Sequence, residues 1–438
     1  MNNLSISIAK SREVVYSDNL VLKKGVWLYF ILLLFEGALR KWVLPSLSAP
    51  LLIVRDPIAI WLIYAAWKRD IIPYSSFLVS MVFTALLSLT TTFLTGHGNM
   101  FVALYGARIL ILHFPLIFII GEVFTTSDVV KVGKVMLWLS IPMTILIALQ
   151  FYSPQSAWVN RGVGGDMEGA GFSGAMGYFR PPGTFSFTTG NTMFYAVLAA
   201  FIFYFFLERN KINIWLLIFA AISLFIAIPL SISRTLLFQV VIAFFFACMT
   251  GIINRKFSGR IVATALLLVI ALSLIATTEV FQKSTEVFST RIESASKFEG
   301  GIEGTLLDRY LGGLLGAIEH STSQNLPFFG YGLGLGTNAG SMMLTGETTF
   351  LIAEEEWGRL VGEMGILFGL AVIFIRLGLC VSMTLKAYAK LVLGQPLAWM
   401  LLSIGLLIIP QGQWAQPTAL GFGVLVGGFI MAAINSKK

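Results

Sequence analysis

Thr192-Met193-Phe194-Tyr195-Ala196-Val197-Leu198-Ala199-Ala200-Phe201-Ile202-Phe203-Tyr204-Phe205-Phe206-Leu207 holds no charge and no turn former. As a helix it covers most of the ~30 Å of hydrocarbon in a bilayer. It is apolar all round, so it has no face to offer water. Similar runs recur on both sides of it. Hydrophobic residues make up 57% of the 438 positions and charged ones 12%, and mean hydropathy is +0.84. A soluble domain carries about 25% charged residues. The alternation of a membrane β-barrel is missing. The fold class that follows is an all-α polytopic membrane protein.

Working outward from this span gives about twelve transmembrane helices. They centre on residues 26–39, 51–67, 77–94, 101–123, 129–151, 192–207, 214–229, 235–250, 261–277, 357–379, 398–409 and 415–434. The second is interrupted by Arg55-Asp56-Pro57, and the eleventh is short. The chain then divides into a cytoplasmic segment 1–25, five helices within 26–152, a long outer loop 153–191, four helices within 192–278, a large outer loop 279–356, and three helices within 357–438. Basic residues fix the orientation. With the N-terminus inside, the cytoplasmic turns carry Lys23 and Lys24, Lys68 and Arg69, Lys131 and Lys134, Arg209 and Lys211, Arg255, Lys256 and Arg260, and Lys386 and Lys390. Both termini are then cytoplasmic and both long loops face outward.

Several classes fall away. The net charge of +8 belongs to membrane lipids on the cytoplasmic side, not to nucleic acid. Cys248 and Cys380 lie inside apolar runs and read as small core residues. No Cys/His spacing suits a metal, and no motif calls for a cofactor. Met1 to Asp18 is polar and lacks the apolar region of a cleaved signal. No internal repeat of the transporter kind is visible.

Charges inside spans are costly and need partners. Glu36 and Arg40 are four apart, suited to an ion pair at a helix end or to a charged cavity wall. Arg55-Asp56 reads as a local pair at a helix break. Arg108 lies deep in the fourth span. His113, five residues on, falls off the Arg108 face of an ordinary α-helix and reads as packing. His97 and His320 have no metal-like company.

The two outer loops hold the other candidates. Arg180 stands in Phe179-Arg180-Pro181-Pro182-Gly183-Thr184-Phe185, among turn formers and aromatics, just before a helix N-terminus. Such an end attracts anions. Arg234, in Ser231-Ile232-Ser233-Arg234-Thr235, starts the eighth span on the same side. It is either an interfacial arginine or one that reaches a phosphate, for which the planar guanidinium fork is suited. The large loop carries Arg291, a polar stretch 283–303 that suits a surface helix, and Arg309 on an amphipathic helix running to His320. It continues through Gly330-Tyr331-Gly332-Leu333-Gly334-Leu335-Gly336 and Glu354-Glu355-Glu356-Trp357. The glycines lack the strand and helix of a nucleotide site, so they suit close approach to a bulky ligand. Glu355, Arg359 and Glu363 are spaced by four and suit an ion ladder. Glu354 has Gly358 and Gly362 on its own face. It is either a solvated helix-start acid or a carboxylate with room to act as a general base.

These segments, in this order, resemble the O-antigen ligase and polysaccharide polymerase family over roughly 180–370. The matching pieces are Arg180 with Gly183-Thr184-Phe185, then Ser231-Ile232-Ser233-Arg234-Thr235. Arg309 follows, ahead of Pro327 and Gly330-Tyr331-Gly332-Leu333-Gly334, and then Glu363-Met364-Gly365-Ile366-Leu367-Phe368-Gly369. Glu36-Gly37-Ala38-Leu39-Arg40-Lys41-Trp42 with Arg55-Asp56-Pro57 is similar to a subgroup tied to exopolysaccharide synthesis. The resemblance implies a metal-independent, GT-C-like glycosyltransferase of the bacterial inner membrane. Its donor would be an oligosaccharide on a polyprenyl diphosphate, and its companions a chain-length regulator and a flippase. It implies that Arg180 and Arg309 hold the diphosphate, with Arg234, Tyr331, Glu355 and Arg359 as further substrate contacts. Ligases of the family carry a His-Asn pair nine residues before the Glu-x-Gly-Ile motif. Nine residues before Glu363 stands Glu354, which favours a polymerase with an acidic base over a ligase. A transporter of lipid-linked glycan is the expectation from another class.

Overall fold

The computed structural model describes residues 2–261, 273, 277, 279–298, 326–347, 351–353 and 355–436. It is helical apart from one small hairpin. The helices are α1 Asn2–Ala38, α2 Asp56–Trp67, α3 Ser76–Leu94, α4 Met100–Arg108, α5 Phe114–Val123, α6 Thr126–Tyr152, α7 Thr188–Leu207, α8 Ile214–Leu230, α9 Arg234–Ile253, α10 Glu279–Phe298, α11 Asn338–Thr345, α12 Glu356–Val392, α13 Leu397–Gln411 and α14 Pro417–Asn435. Strands β1 Phe172–Ala175 and β2 Tyr178–Arg180 pair antiparallel across Met176-Gly177. Both turn residues have positive φ, the geometry of a tight two-residue hairpin.

Eight helical runs among the described residues are long and apolar enough to cross a bilayer, and α8 and α13 are shorter apolar helices. The protein is an all-α polytopic membrane protein. Its centre is α7. From Gly190 to Leu207 every side of this helix is buried, as its unbroken apolar sequence requires. Helices α6, α8, α9, α13 and α14 pack around it. Beside this group α5 lies along α14. Gly121 of α5 faces Met431, while Gly427 and Gly428 of α14 face Ile117 and Ile120. In lipid, helices associate by close packing more than by hydrophobic burial, so small residues mark the contact.

Helix ends sort into two faces. On one, Arg40 of the π turn Leu39–Val43 reaches Ser186, Lys41 reaches the Gly183 carbonyl, and Arg55 reaches the Pro417 carbonyl. The loop 153–187 and the glycine loop 330–336 lie on this side, here called the loop face. On the other, Lys23 pairs with Asp128 at 2.6 Å, Lys256 approaches Glu208, and Lys390 donates to the Ser436 carbonyl. The basic turns at Lys23, Lys256 and Lys390 therefore lie at one end, and the loop 153–187 with the glycine loop at the opposite end.

Two local readings are corrected. Arg55 and Asp56, expected as a local pair, turn to different partners: Glu36 at 3.3 Å for Arg55, and Arg108 at 2.7 Å for Asp56. His113 does share a face with Arg108. Residues Ile109–His113 form a π turn, whose wider repeat aligns residues five apart. Both side chains then meet Asp56, His113 Nε2 at 2.9 Å.

Candidate functional site

The loop-face turn that carries Arg180 is held from several sides. Phe172 pairs with Arg180 across the hairpin. Beyond Pro181-Pro182, the Gly183 amide donates to Gln150 Oε1 at 2.8 Å. The Gly183 carbonyl accepts from Lys41 Nζ at 2.7 Å and from Gln150 Nε2 at 3.2 Å. Asn191 Nδ2 donates to the Pro181 carbonyl, and Thr184 Oγ1 to the Leu34 carbonyl. Proline supplies no amide and a fixed φ, so the path from β2 into α7 is rigid.

Two further arginines converge on Arg180. Arg234 opens α9, where the Ser233 hydroxyl caps the Leu236 amide. The preceding Ile232 is buried at φ +47° and packs over Gly174 of β1. This ties the start of α9 to the hairpin. Arg291 sits on α10, which lies against β1 and α8. Val287 and Phe288 give α10 its buried side, and Thr290 contacts Met176 of the hairpin turn. Burial, then the charges of Arg291 and Arg234, hold Arg180 below the ordinary arginine range. Its Nε is buried with no hydrogen-bond partner among the described residues. Arg180, with an unused donor, thus lies within electrostatic reach of two guanidiniums from distant segments. Like charges held this near one another at half-buried positions favour an anion beside them. Phosphate oxygens suit the fork geometry of arginine.

Sequence reasoning named Arg180 and Arg234 for this chemistry, and the structure brings them together. It did not group Arg291 with them, because only the docking of α10 on the hairpin brings Arg291 near Arg180. Arg309 and Glu354 lie outside the described residues, as do most of the expected span 261–277, the expected helix 306–320 and His320.

The remaining candidates lie on α12 and the glycine loop. Arg359 is 3% exposed. Its Nη1 meets Glu363 at 2.7 Å, while its Nε and Nη2 meet Glu356 at 3.1 and 2.9 Å. Arg376 adds a 2.7 Å bond to Glu356 and donates to the Ile409 and Gly412 carbonyls. Two carboxylates and two guanidiniums balance, so Arg359 is committed inside the protein and turns no donor outward. The ladder partner is Glu356 rather than Glu355. Glu355 is exposed at the N-cap of α12. Arg376 was missed, although a lone arginine between Ile375 and Leu377 was itself a signal.

The glycines approach protein, not open space for a ligand, which corrects the expectation from sequence. Gly334 packs on the Val102 carbonyl and on Gly106 of α4. Gly365 breaks α12 at φ +73°, ψ 172° and faces the Phe328 carbonyl. The Tyr331 and Gly332 amides donate to the Gly362 and Glu363 carbonyls freed by that break, and the Gly336 amide donates to Glu363 Oε1. His97 Nε2 bonds the Leu333 carbonyl at 3.0 Å. The Tyr331 ring stays exposed.

A second ion network ties the front helices. Glu36 accepts from Arg55 and approaches Arg40 at 3.5 Å. Tyr29 Oη accepts from Arg55 and bonds His113 Nδ1 at 2.9 Å. Among the described residues no group of His, Cys, Asp and Glu is arranged to hold a metal. No protein-family model matches the chain, and no curated protein matches it either.

Proposed function

We propose that this chain is a membrane glycosyltransferase that uses a polyprenyl-diphosphate-linked oligosaccharide. The reading takes it as a polymerase of the O-antigen ligase and polysaccharide polymerase kind, acting on the outer face of a bacterial inner membrane. The observation that carries the reading is the convergence of Arg180, Arg234 and Arg291 on the loop face, with the Arg180 Nε unused. In this reading the twelve crossings are the eight long runs, α1, α8, α13 and the segment 261–277, in a GT-C-like arrangement.

The chemistry follows from the charges. An acceptor hydroxyl attacks the anomeric carbon of the donor. The bond from that carbon to the diphosphate oxygen breaks, and the lipid diphosphate leaves with more negative charge than it had in the donor. Fixed guanidiniums stabilise that growing charge without reorganising, the usual source of the largest catalytic gain. The acceptor proton goes to a carboxylate, for which Glu354 is the candidate by sequence position. A ligase would use the same arginines with a different acceptor. A transporter is the reading that buried charges would favour. Here Glu36, Arg55, Asp56, Arg108 and His113 are bonded to one another, which suits a fixed scaffold better than a moving carrier.

The test is a reconstituted reaction with a polyprenyl-diphosphate oligosaccharide, products sized on a gel. The wild type should build a ladder, also in the presence of a chelator. Arg180→Ala and Arg291→Ala should each slow it about 10- to 100-fold, in line with loss of one transition-state donor. Lysine at either position should restore part of the rate. A ladder of unchanged rate from both alanine variants would remove the arginines from the mechanism.

A further inference from the structure

A cleft of about 320 Å³ opens on the face opposite the arginines, between the start of α6, the end of α7, the turn after α9 and the start of α13. Tyr204, Glu208, Lys211, Lys256 and Gln395 line it. Its two ammonium groups outnumber its one carboxylate. Both reach Glu208 only at 3.9 Å, and their side chains are 42% and 59% exposed. The short bond of Lys211, 2.8 Å, goes to the neutral Tyr204 hydroxyl. Helix α13 begins at the cleft wall. Its N-cap is Pro396, with no side-chain cap, and its first residues Leu397 and Ala398 are buried. The first-turn amides of a helix have no partner within it and carry its positive end.

Two weakly paired lysines, a hydroxyl and an uncapped helix start therefore surround one space many times larger than a water, which takes ~30 Å³. The cleft also sits at a definite level. Helices α6 and α13 begin there and α7, α9 and α14 end there, the level at which the headgroups of a bilayer spanned by these helices would lie.

We propose that this cleft binds a phosphate group, carried by an anionic membrane phospholipid or by a soluble phosphate compound. The site is separate from the arginine cluster and does not depend on the glycosyltransferase reading. Glu208 competes with the phosphate for both lysines.

Native mass spectrometry of the full chain in detergent, offered equal phosphatidylglycerol and phosphatidylcholine, tests this. The wild type should retain phosphatidylglycerol roughly tenfold over phosphatidylcholine, as expected for two basic side chains at one headgroup. Lys211→Gln with Lys256→Gln should abolish the preference. Lys24→Gln with Lys386→Gln removes the same charge from exposed positions outside the cleft and should preserve it. Glu208→Gln should raise retention, an outcome that needs no weakened variant to fold. Displacement of the lipid by excess inorganic phosphate would assign the site to a soluble phosphate, and persistence would assign it to the lipid. A wild type that neither prefers phosphatidylglycerol nor binds inorganic phosphate, or a preference that survives in the Lys211/Lys256 variant, would overturn the proposal.

Discussion

Lys41 shows what one buried charge does to a rigid turn. It is fully buried in the π turn that follows the first helix, on the loop face, with its Nζ on the Gly183 carbonyl and over the Trp42 ring at 4.4 Å. Burial pushes its ammonium down to about 7. The unfolded chain keeps that proton up to ~10.4. Between these values the unfolded chain binds more protons, so stability rises with pH there. Below about pH 7 the folded state bears the full cost of the buried charge. Lys41→Met should flatten this rise, which is worth up to ~1.4 kcal/mol per pH unit. Thermal midpoints near pH 7 and pH 9 measure it. An unchanged slope in the variant would mean that Lys41 does not titrate in this range. Arg359 teaches the opposite lesson. Its spacing with Glu363 was legible, but not that Glu356 and Arg376 would use up its remaining donors. Sequence spacing shows which residues share a helix face. It does not show what packs on that face.

At the level of elements, long spans were legible because their apolar runs need no partner to be recognised. Short irregular pieces were not. A π turn leaves no periodic signature, so the Arg108–His113 alignment became visible only in three dimensions. The glycine loop was seen but misread, because a glycine that admits a ligand and one that admits a neighbouring backbone look alike. Gly334 separates the two. Its φ is +89°, and a methyl there would fall on the Val102 carbonyl and 3.0 Å from the Gly106 amide. Gly334→Ala should cost about 2–4 kcal/mol, from left-handed strain plus overpacking. Gly346 has φ +77° with nothing near, so Gly346→Ala should cost only the strain, ~1 kcal/mol. Equal midpoints for the two variants would show that the loop does not depend on this close approach.

For the whole molecule, the two faces make the orientation in the membrane testable. Met167 is 66% exposed on the loop face, and the Lys256 side chain is 59% exposed on the other. In a background with Cys248 and Cys380 replaced, a cysteine at position 167 should react with an impermeant reagent in intact spheroplasts. One at 256 should react only after lysis. The reverse pattern would put both long loops in the cytoplasm. The alternation of faces was legible because each turn carries its own charge signature. The meeting of Arg180, Arg234 and Arg291 was not, since it needs α10, the hairpin and α9 to dock together.

The joint between the glycine loop and the break in α12 has a mechanical consequence. Side chains in a contact can change rotamer and absorb a displacement. Main chain against main chain has no such freedom. At Gly334 and Gly365 the loop meets α4 on one side and α12 on the other backbone to backbone, and hydrogen bonds fasten it to α12, to the His97 turn and to Thr92 of α3. A shift of the first turns of α12 is therefore passed to α4 with little damping, and through the Thr92 and His97 side chains to α3 and the turn beyond it. These parts act as one stiff lever, and any hinge motion on this face must lie elsewhere.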